Sequence, residues 1–518
     1  MKLIIVGLVA VLIVAALASS LRPELTPDQS KHVLALVAQF TSPEFAVRQK
    51  AVEELIKMGP AVLPLIRKTL AETKDDEVKL RCEMVIKPFA EQQGRIEAEN
   101  RKRQAEAEFE RRGPELKKRY EAKLAELHKQ GEPVTMKEVA PPEIADEQNA
   151  AVLYEEAFKE YEEAGADAGA RIAQLLRPRP LEPAELEEAR ELVKQVQPVV
   201  KKLREAGYRT SCRFTLNYDV EPACNMILKH LSRLQASARL LALSSKVNLG
   251  QGKPDEALVD YEAILRLGHA SDREPLVISM LVGIACRGIA RKPVMAVLDD
   301  SEPSAEALRK VLDSLGDVDD RSPYLAAMRG ERCMGISVLK FVFQNPDERI
   351  PMFLEPKLKG TKVTVSGLYT DALHYLELME SEVTLSRKPW HQSKADWEKI
   401  DHDLQEKATD YPLTTVLGST LSKTAQIYDR AVAVDGVSQL AVALRLYRLK
   451  HGQYPEKLTA LVPEVLKKLP TDPFSGKDYE YRREGKGFVV YSIGDDGVDN
   501  NGEEGTGNAP DIAFKCSR

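Results

Sequence analysis

The chain is poor in aromatic residues, which make up 6% of its 518 positions, and poor in cysteine, with six. Few aromatics beside abundant Ala, Leu, Glu, Lys and Arg favour helix. The cysteines, Cys82, Cys212, Cys224, Cys286, Cys333 and Cys516, form no CxxC and are too scattered for a disulfide framework. Cys212 and Cys224 are close enough in sequence to pair, while burial as free thiols accounts for Cys82 and Cys286. Neither charge sign dominates: 74 basic against 80 acidic residues leave a net charge of −6, with no long basic run. That excludes a nucleic-acid footprint and a membrane-surface patch. None of the eight histidines lies in HExxH, and GxSxG, P-loop and GxGxxG signatures are all missing. The expectation is therefore a non-enzymatic protein, with a hydrolase whose active site is assembled non-locally as an alternative. One local oddity, Trp390-His391 followed by Trp397 and His402, reads as a packing cluster.

The length exceeds what one hydrophobic core supports, so several folding units are expected. Residues 1–21 hold Lys2 and then an uncharged apolar run from Leu3 to Leu21, with Ala16-Leu17-Ala18 as a small-x-small sequence. This fits a cleaved secretory signal or an uncleaved signal anchor approaching the ~20 residues that span a bilayer. Either makes the remainder extracytoplasmic, secreted to the periplasm or anchored in the inner membrane and facing it.

Residues 26–90 read as short helices. Thr26-Pro27-Asp28 is a helix start, with Val33, Leu36, Val37 and Phe40 on one face. A second helix carries Ala51, Val52, Leu55 and Ile56, and Gly59-Pro60 breaks it. A third carries Val62, Leu63, Ile66 and Leu70, and a fourth has Val78, Cys82 and Val85 in helical register. The segments beginning Glu44-Phe-Ala-Val-Arg48 and Asp76-Glu-Val-Lys-Leu-Arg81 are alike, and the region resembles HEAT-type repeats.

Residues 91–143 are nearly all charged or Ala, predicting an exposed helical linker interrupted at Gly113-Pro114. Residues 144–345 predict an α-helical domain. Ala257, Leu258, Tyr261, Ile264 and Leu265 share one face of a helix that is similar to the second helix of a tetratricopeptide repeat, and Leu240–Leu249 would supply the first. Pro351, Pro356, Gly360, Pro389 and Pro412 make residues 346–418 an expected irregular connection, with one helical stretch near Tyr369 to Glu382.

Residues 419–518 begin with a long helix ending at His451-Gly452. Tyr447-Arg-Leu-Lys-His-Gly-Gln-Tyr-Pro455, Leu469-Pro-Thr-Asp-Pro-Phe-Ser-Gly476, two short strands, Ser492-Ile-Gly-Asp-Asp-Gly497 and Asp511-Ile512 then follow in order. The ordered set resembles the globular head of type II secretion major pseudopilins. No Gly-Phe-x-x-x-Glu processing site stands at Met1 or before the module, which predicts a head reused at the end of a different protein. The fold class expected is thus multi-domain and mainly α, HEAT-like and then tetratricopeptide-like, closed by a small α+β pseudopilin-like domain.

Asp495, Asp496, Asp499, Glu503, Glu504 and Asp511 crowd the tail without one Lys or Arg among them, and a hard cation would relieve their repulsion. A solvated acidic tail is the plainer reading. The resemblance implies a structural Ca²⁺, with Asp496 and Asp511 as ligands and Asp499 and Asn501 as further candidates. It also implies a protein-binding or scaffold role among other envelope proteins, or an accessory part in a secretion or pilus-like apparatus.

Overall fold

Alternating apolar and charged positions at helical spacing are realised as helix along most of the chain. The computed structural model describes residues 25–163, 168–177, 181–353, 365–419, 421–503 and 511–518. The signal or anchor segment, residues 1–21, lies outside them. Among the described residues no helix is long and apolar enough to cross a membrane. The fold is mainly α, with one small three-stranded sheet near the C-terminus. The chain divides into two units, Met1–Arg111 and Arg112–Arg518.

The first unit contains α1 (Pro27–Ala38), α2 (Phe45–Lys57), α3 (Leu63–Glu72) and the first part of α4 (Asp76–Lys129). Thr26 starts α1 with a reciprocal cap: its hydroxyl accepts from the Gln29 N–H at 3.2 Å, and the Gln29 side chain accepts from the Thr26 N–H at 2.9 Å. Gly59, at φ 84°, makes the break that ends α2. Val33, Leu36, Phe40, Ala51, Val52, Leu55, Val62, Ile66, Val78, Cys82 and Val85 form the core. The two similar segments meet on one carboxylate, since Arg48 and Arg81 both pair with Glu77, at 2.8 and 2.7 Å.

Gly113-Pro114 does not interrupt α4. Proline forfeits one helical hydrogen bond, but the Glu-, Lys- and Arg-rich flanks are strong helix formers. Nor is the stretch after residue 111 a bare spacer: Leu116, Tyr120 and Leu127 are buried, and Tyr120 meets the Phe343 ring edge-on at 5.5 Å.

The second unit continues with α5 (Met136–Val139), α6 (Ala150–Glu163), α7 (Ala168–Leu175), α8 (Pro183–Gln195) and α9 (Gln197–Gly207). Then come α10 (Lys229–Gly250), α11 (Pro254–Asp272), α12 (Val277–Asp300), α13 (Ala305–Leu315) and α14 (Ser322–Gln344). Helices α10, α11 and α12 pack on one another as the centre of the unit. The turn between α10 and α11 is three residues long, with Gly252 at φ 70°. The expected face of α11 is buried, yet so are Asp260 and Glu262 on its other side, so α11 is enclosed all round.

The described residues of 346–418 are helical rather than an irregular connection. They contain α15 (Pro346–Phe353), α16 (Val365–Leu385), α17 (Trp390–Glu406) and α18 (Pro412–Gly418). Of the prolines that read as interruptions, Pro389 is the N-cap of α17 and Pro412 the first residue of α18, while Pro351 lies inside α15 and Pro356 falls outside the described residues. Leu368, Ala372, Tyr375, Leu376, Met379 and Val383 supply α16 with a buried face.

Last come α19 (Leu421–His451) and strands β1 (Glu480–Glu484), β2 (Gly487–Ser492) and β3 (Ile512–Cys516), antiparallel in the order β1-β2-β3. These residues do not stand apart as a separate domain. Helix α19 packs on β2 and β3 and also on α12, α13 and α17, and β3 touches α12. Arg321 sets both guanidinium nitrogens on Asp429, and Arg287 joins Asp272 to Asp435, with Nη1 to Asp272 Oδ2 at 2.5 Å and Nε to Asp435 Oδ2 at 3.1 Å. Arg445 donates to the Ser301 carbonyl at 2.7 Å and pairs with Glu302 at 2.8 Å.

Removing one partner of such a pair leaves a buried charge without compensation. Arg321→Met should therefore destabilise the second unit by roughly 3–5 kcal/mol, read as a lowered denaturant midpoint. A loss within the range of an exposed pair would contradict that account.

Glu382 makes a second prediction. Its carboxyl is fully buried with neither oxygen hydrogen-bonded among the described residues. Burial, and then the nearby Asp401 and Glu331, hold its pKa well above the usual carboxylate range. The folded state keeps this proton while the unfolded chain releases it above the ordinary glutamate pKa, so stability is lost as pH rises from there. Glu382→Gln should raise the unfolding midpoint at pH 7–8, by roughly 1–3 kcal/mol in stability, and the gain should vanish near pH 4.5 and below. Thermal unfolding across pH 4–8 measures it; a gain independent of pH would rule out the titration.

Candidate functional site

The pseudopilin-like region is built from α19 outward. Gly452, at φ 77°, ends the helix with its N–H on the Arg448 carbonyl at 2.7 Å. Tyr454 then turns inward and packs edge-on against Phe488 of β2 at 4.8 Å. Gly485, at φ 57°, closes the hairpin between β1 and β2, and β3 returns along β2 with Ser492 opposite Ile512. That return brings Asp511, at the start of β3, under the acidic loop.

The loop curls through Gly494, Gly497, Asn501 and Gly502, all with positive φ. Gly502 is required on two grounds: φ is 73°, and an added Cβ would meet Tyr491 and Val489 side chains at 3.0 Å. Asp511 is 2% exposed, and its Oδ2 accepts from the Asn500 N–H at 3.0 Å and the Gly502 N–H at 2.7 Å. Its Oδ1 is buried with no hydrogen-bond partner among the described residues. Burial pushes the Asp511 pKa up, the two N–H groups oppose this, and the charges of Asp499 and Asp496 add to the rise.

The other proposed ligands are placed differently. Asp496 and Asp499 are exposed on the loop. Asp496 accepts from the Val498 N–H at 2.9 Å, and Asp499 accepts from the Tyr491 hydroxyl at 3.0 Å and the Asn501 N–H at 2.8 Å. The Asn501 carbonyl accepts from Arg482 at 3.0 Å. Asp495 is engaged elsewhere, with Gln426 and Arg430 of α19. Among the described residues, one trio of His, Cys, Asp or Glu brings its ligating atoms within 4.8 Å, and it is His402, Asp403 and Glu406 on α17. Asp496, Asp499 and Asp511 thus surround the loop without converging on one point. The donor set still suits a hard cation: a buried carboxylate oxygen without a partner, further acidic oxygens and backbone carbonyls nearby.

Two structural roles were not legible. Asp472, read as a turn residue, is 1% exposed and accepts from the Phe474 N–H at 3.1 Å and the Ser492 hydroxyl at 2.8 Å, tying the Pro-rich turn to β2. His391 lies against that same turn, its N–H and Nδ1 each 3.1 Å from the Pro473 carbonyl, and Trp390 and Trp397 are buried, while His402 is exposed. All six cysteines are free thiols.

Groups of the nucleophilic-triad type do meet at Ser279, Glu274 and His230, in an unsuitable order. The carboxylate sits between the other two, 2.5 Å from the serine hydroxyl and 2.8 Å from His230 Nε2. The imidazole therefore has no serine proton to take, and all three residues are buried.

Against this geometry stand the comparisons. Residues 422–513, from the first turn of α19 to the start of β3, match the family described as type II secretion system protein G. The match covers well under half of the chain. No curated protein and no solved structure matches it.

Proposed function

We propose that this is an extracytoplasmic, non-enzymatic protein-binding component of the bacterial envelope, associated with type II secretion or a pilus-like apparatus through its pseudopilin-like head. The observation that carries the reading is the protein G match, which begins and ends on one structural module, the α19 helix with its return strand. The helices of the first unit, read as HEAT-like, and the α10–α11 hairpin, read as tetratricopeptide-like, supply surface for protein partners. The N-terminal apolar run would deliver the chain across or into the inner membrane. Cross-linking in intact cells followed by affinity purification should recover pseudopilin-type proteins. If only cytoplasmic proteins are recovered, the assignment fails.

Ca²⁺ belongs to the same reading. Asp511 would hold it through the free Oδ1, with Asp496, Asp499 and Asn501 or nearby carbonyls completing the shell, and the bound ion would fix the loop to β3. Thermal unfolding of the full chain should shift upward with Ca²⁺ relative to chelator, equivalent to about 2.7 kcal/mol at a hundredfold excess over Kd. Asp511→Asn should abolish the shift. The shift should also shrink as pH falls, because the carboxyl must lose its proton before binding metal and its pKa is raised. Equal midpoints with and without Ca²⁺ at neutral pH would leave the loop a solvated acidic turn.

A further inference from the structure

Away from the head, the second unit holds a cavity of about 310 Å³ where the start of α6, the end of α9 and the last turns of α11 come together. The volume lies at the lower end of small-molecule sites. Its apolar floor includes Tyr154 and Ala270, both buried. Its polar wall is dominated by three guanidiniums, those of Arg209, Arg266 and Arg273, beside the His269 imidazole and a single carboxylate, Asp313.

The three arginines are held unequally. Arg266 is neutralised by Glu262 at 2.8 Å and lies over the Tyr208 ring at 4.8 Å. Arg209 is fixed by backbone carbonyls, those of Asp146 and of Asn149 at 2.9 Å. Arg273 is likewise fixed by a carbonyl, that of Thr210 at 3.1 Å. Among the described residues neither Arg209 nor Arg273 has a carboxylate partner, although most arginines in the second unit do. A carbonyl orients a guanidinium without cancelling its charge, and in each case it engages Nη1, while a guanidinium presents five donors in a planar fork. Ala150, the first residue of α6, and Tyr154 one turn further on also line the cavity.

We propose that this cavity is a binding site for a small oxyanion, a carboxylate or a phosphate carried on a compact body, clasped between Arg209 and Arg273. Both anions match the planar fork of arginine, and the small apolar floor limits what can be attached to them. The alternative role for the arginines is structural, with Arg209 tying down the segment before α6 and Arg273 the segment after α9, and the experiment separates the two.

The full chain is titrated calorimetrically with sodium phosphate and, separately, with sodium succinate, at constant ionic strength made up with chloride. Saturable binding of at least one anion is expected, weakened tenfold or more in Arg273→Gln. Arg273 is exposed, so this variant should keep the parent's unfolding midpoint. Arg309→Gln, outside the cavity, should bind as the parent does. Preference for phosphate would assign a phosphoester ligand, and preference for succinate a carboxylic acid. Absence of saturable binding, or equal binding by parent and Arg273→Gln, would overturn the site and leave the arginines as ties between backbone segments.

Discussion

Helix α19 joins the sheet to the helical body in one continuous core, and most of the second unit depends on that. One side packs on the sheet and the other on α12, α13 and α17, so that no residue from Tyr428 to Leu446 is exposed. A helix enclosed in this way must present small or apolar residues almost everywhere, and Ala433, Gly436, Ala441 and Ala443 do so. Gly436 shows how tight the fit is, because an added Cβ would stand 2.2 Å from the Tyr479 hydroxyl. Three charges of α19 are met from the body: Asp429 by Arg321, Asp435 by Arg287, and Arg445 by Glu302.

These ion pairs fix position more than they add stability. Burial raises the pKa of Asp429 and of Asp435 even though an arginine opposes the rise in each case. Desolvation therefore exceeds the attraction of the partner, and apolar residues of the same volume would hold the unit together as well or better. What the pairs supply is register. A slip of α19 along α12 would strand a buried carboxylate, and such a state is heavily penalised. The end of the chain is pinned in the same spirit, with the Ser517 N–H on Asp299 at 2.6 Å and Arg291 on the Ala513 carbonyl at 2.9 Å.

The sequence was legible wherever the signal is local. The Thr26 cap, the Gly59 break, the Gly452 helix end and the β1–β2 turn each depend on residues within a few positions of one another, and each was read correctly. The buried faces of α1, α2 and α11 follow from periodicity alone. Prolines misled between 346 and 418, because a proline at the first turn of a helix and a proline that breaks one look alike until the flanking apolar spacing is weighed. The charged stretch after Glu91 misled in the opposite direction: Leu116, Tyr120 and Leu127 are few, but they recur at helical spacing and suffice for one buried stripe. The arginine–aspartate pairs were illegible, since partners more than a hundred positions apart leave no local trace. The acidic loop was half legible. The family resemblance points to Asp496 and Asp511 alike, but only the return of β3 shows that Asp511 is buried, with one oxygen unpartnered among the described residues, while Asp496 and Asp499 stay in solvent.

The burial of α19 bears on how a pseudopilin-like head can work here. A head that joins a filament through its helix needs a helix face available to neighbouring copies. From Tyr428 to Leu446 that face is already taken by the chain's own body. What this head can still offer is its outer surface: the exposed acidic loop, strand β1 with two Glu and two Arg side chains, and the region around Val498, which is 54% exposed. β1 is also an edge strand, paired on one side only, and charge along such an edge opposes indiscriminate strand addition. A surface that is polar, edge-protected and backed by a rigid helical body suits docking onto another protein better than polymerisation. The burial of α19 leaves little of this helix face for a neighbouring copy, and that supports the proposed reading as a binding component.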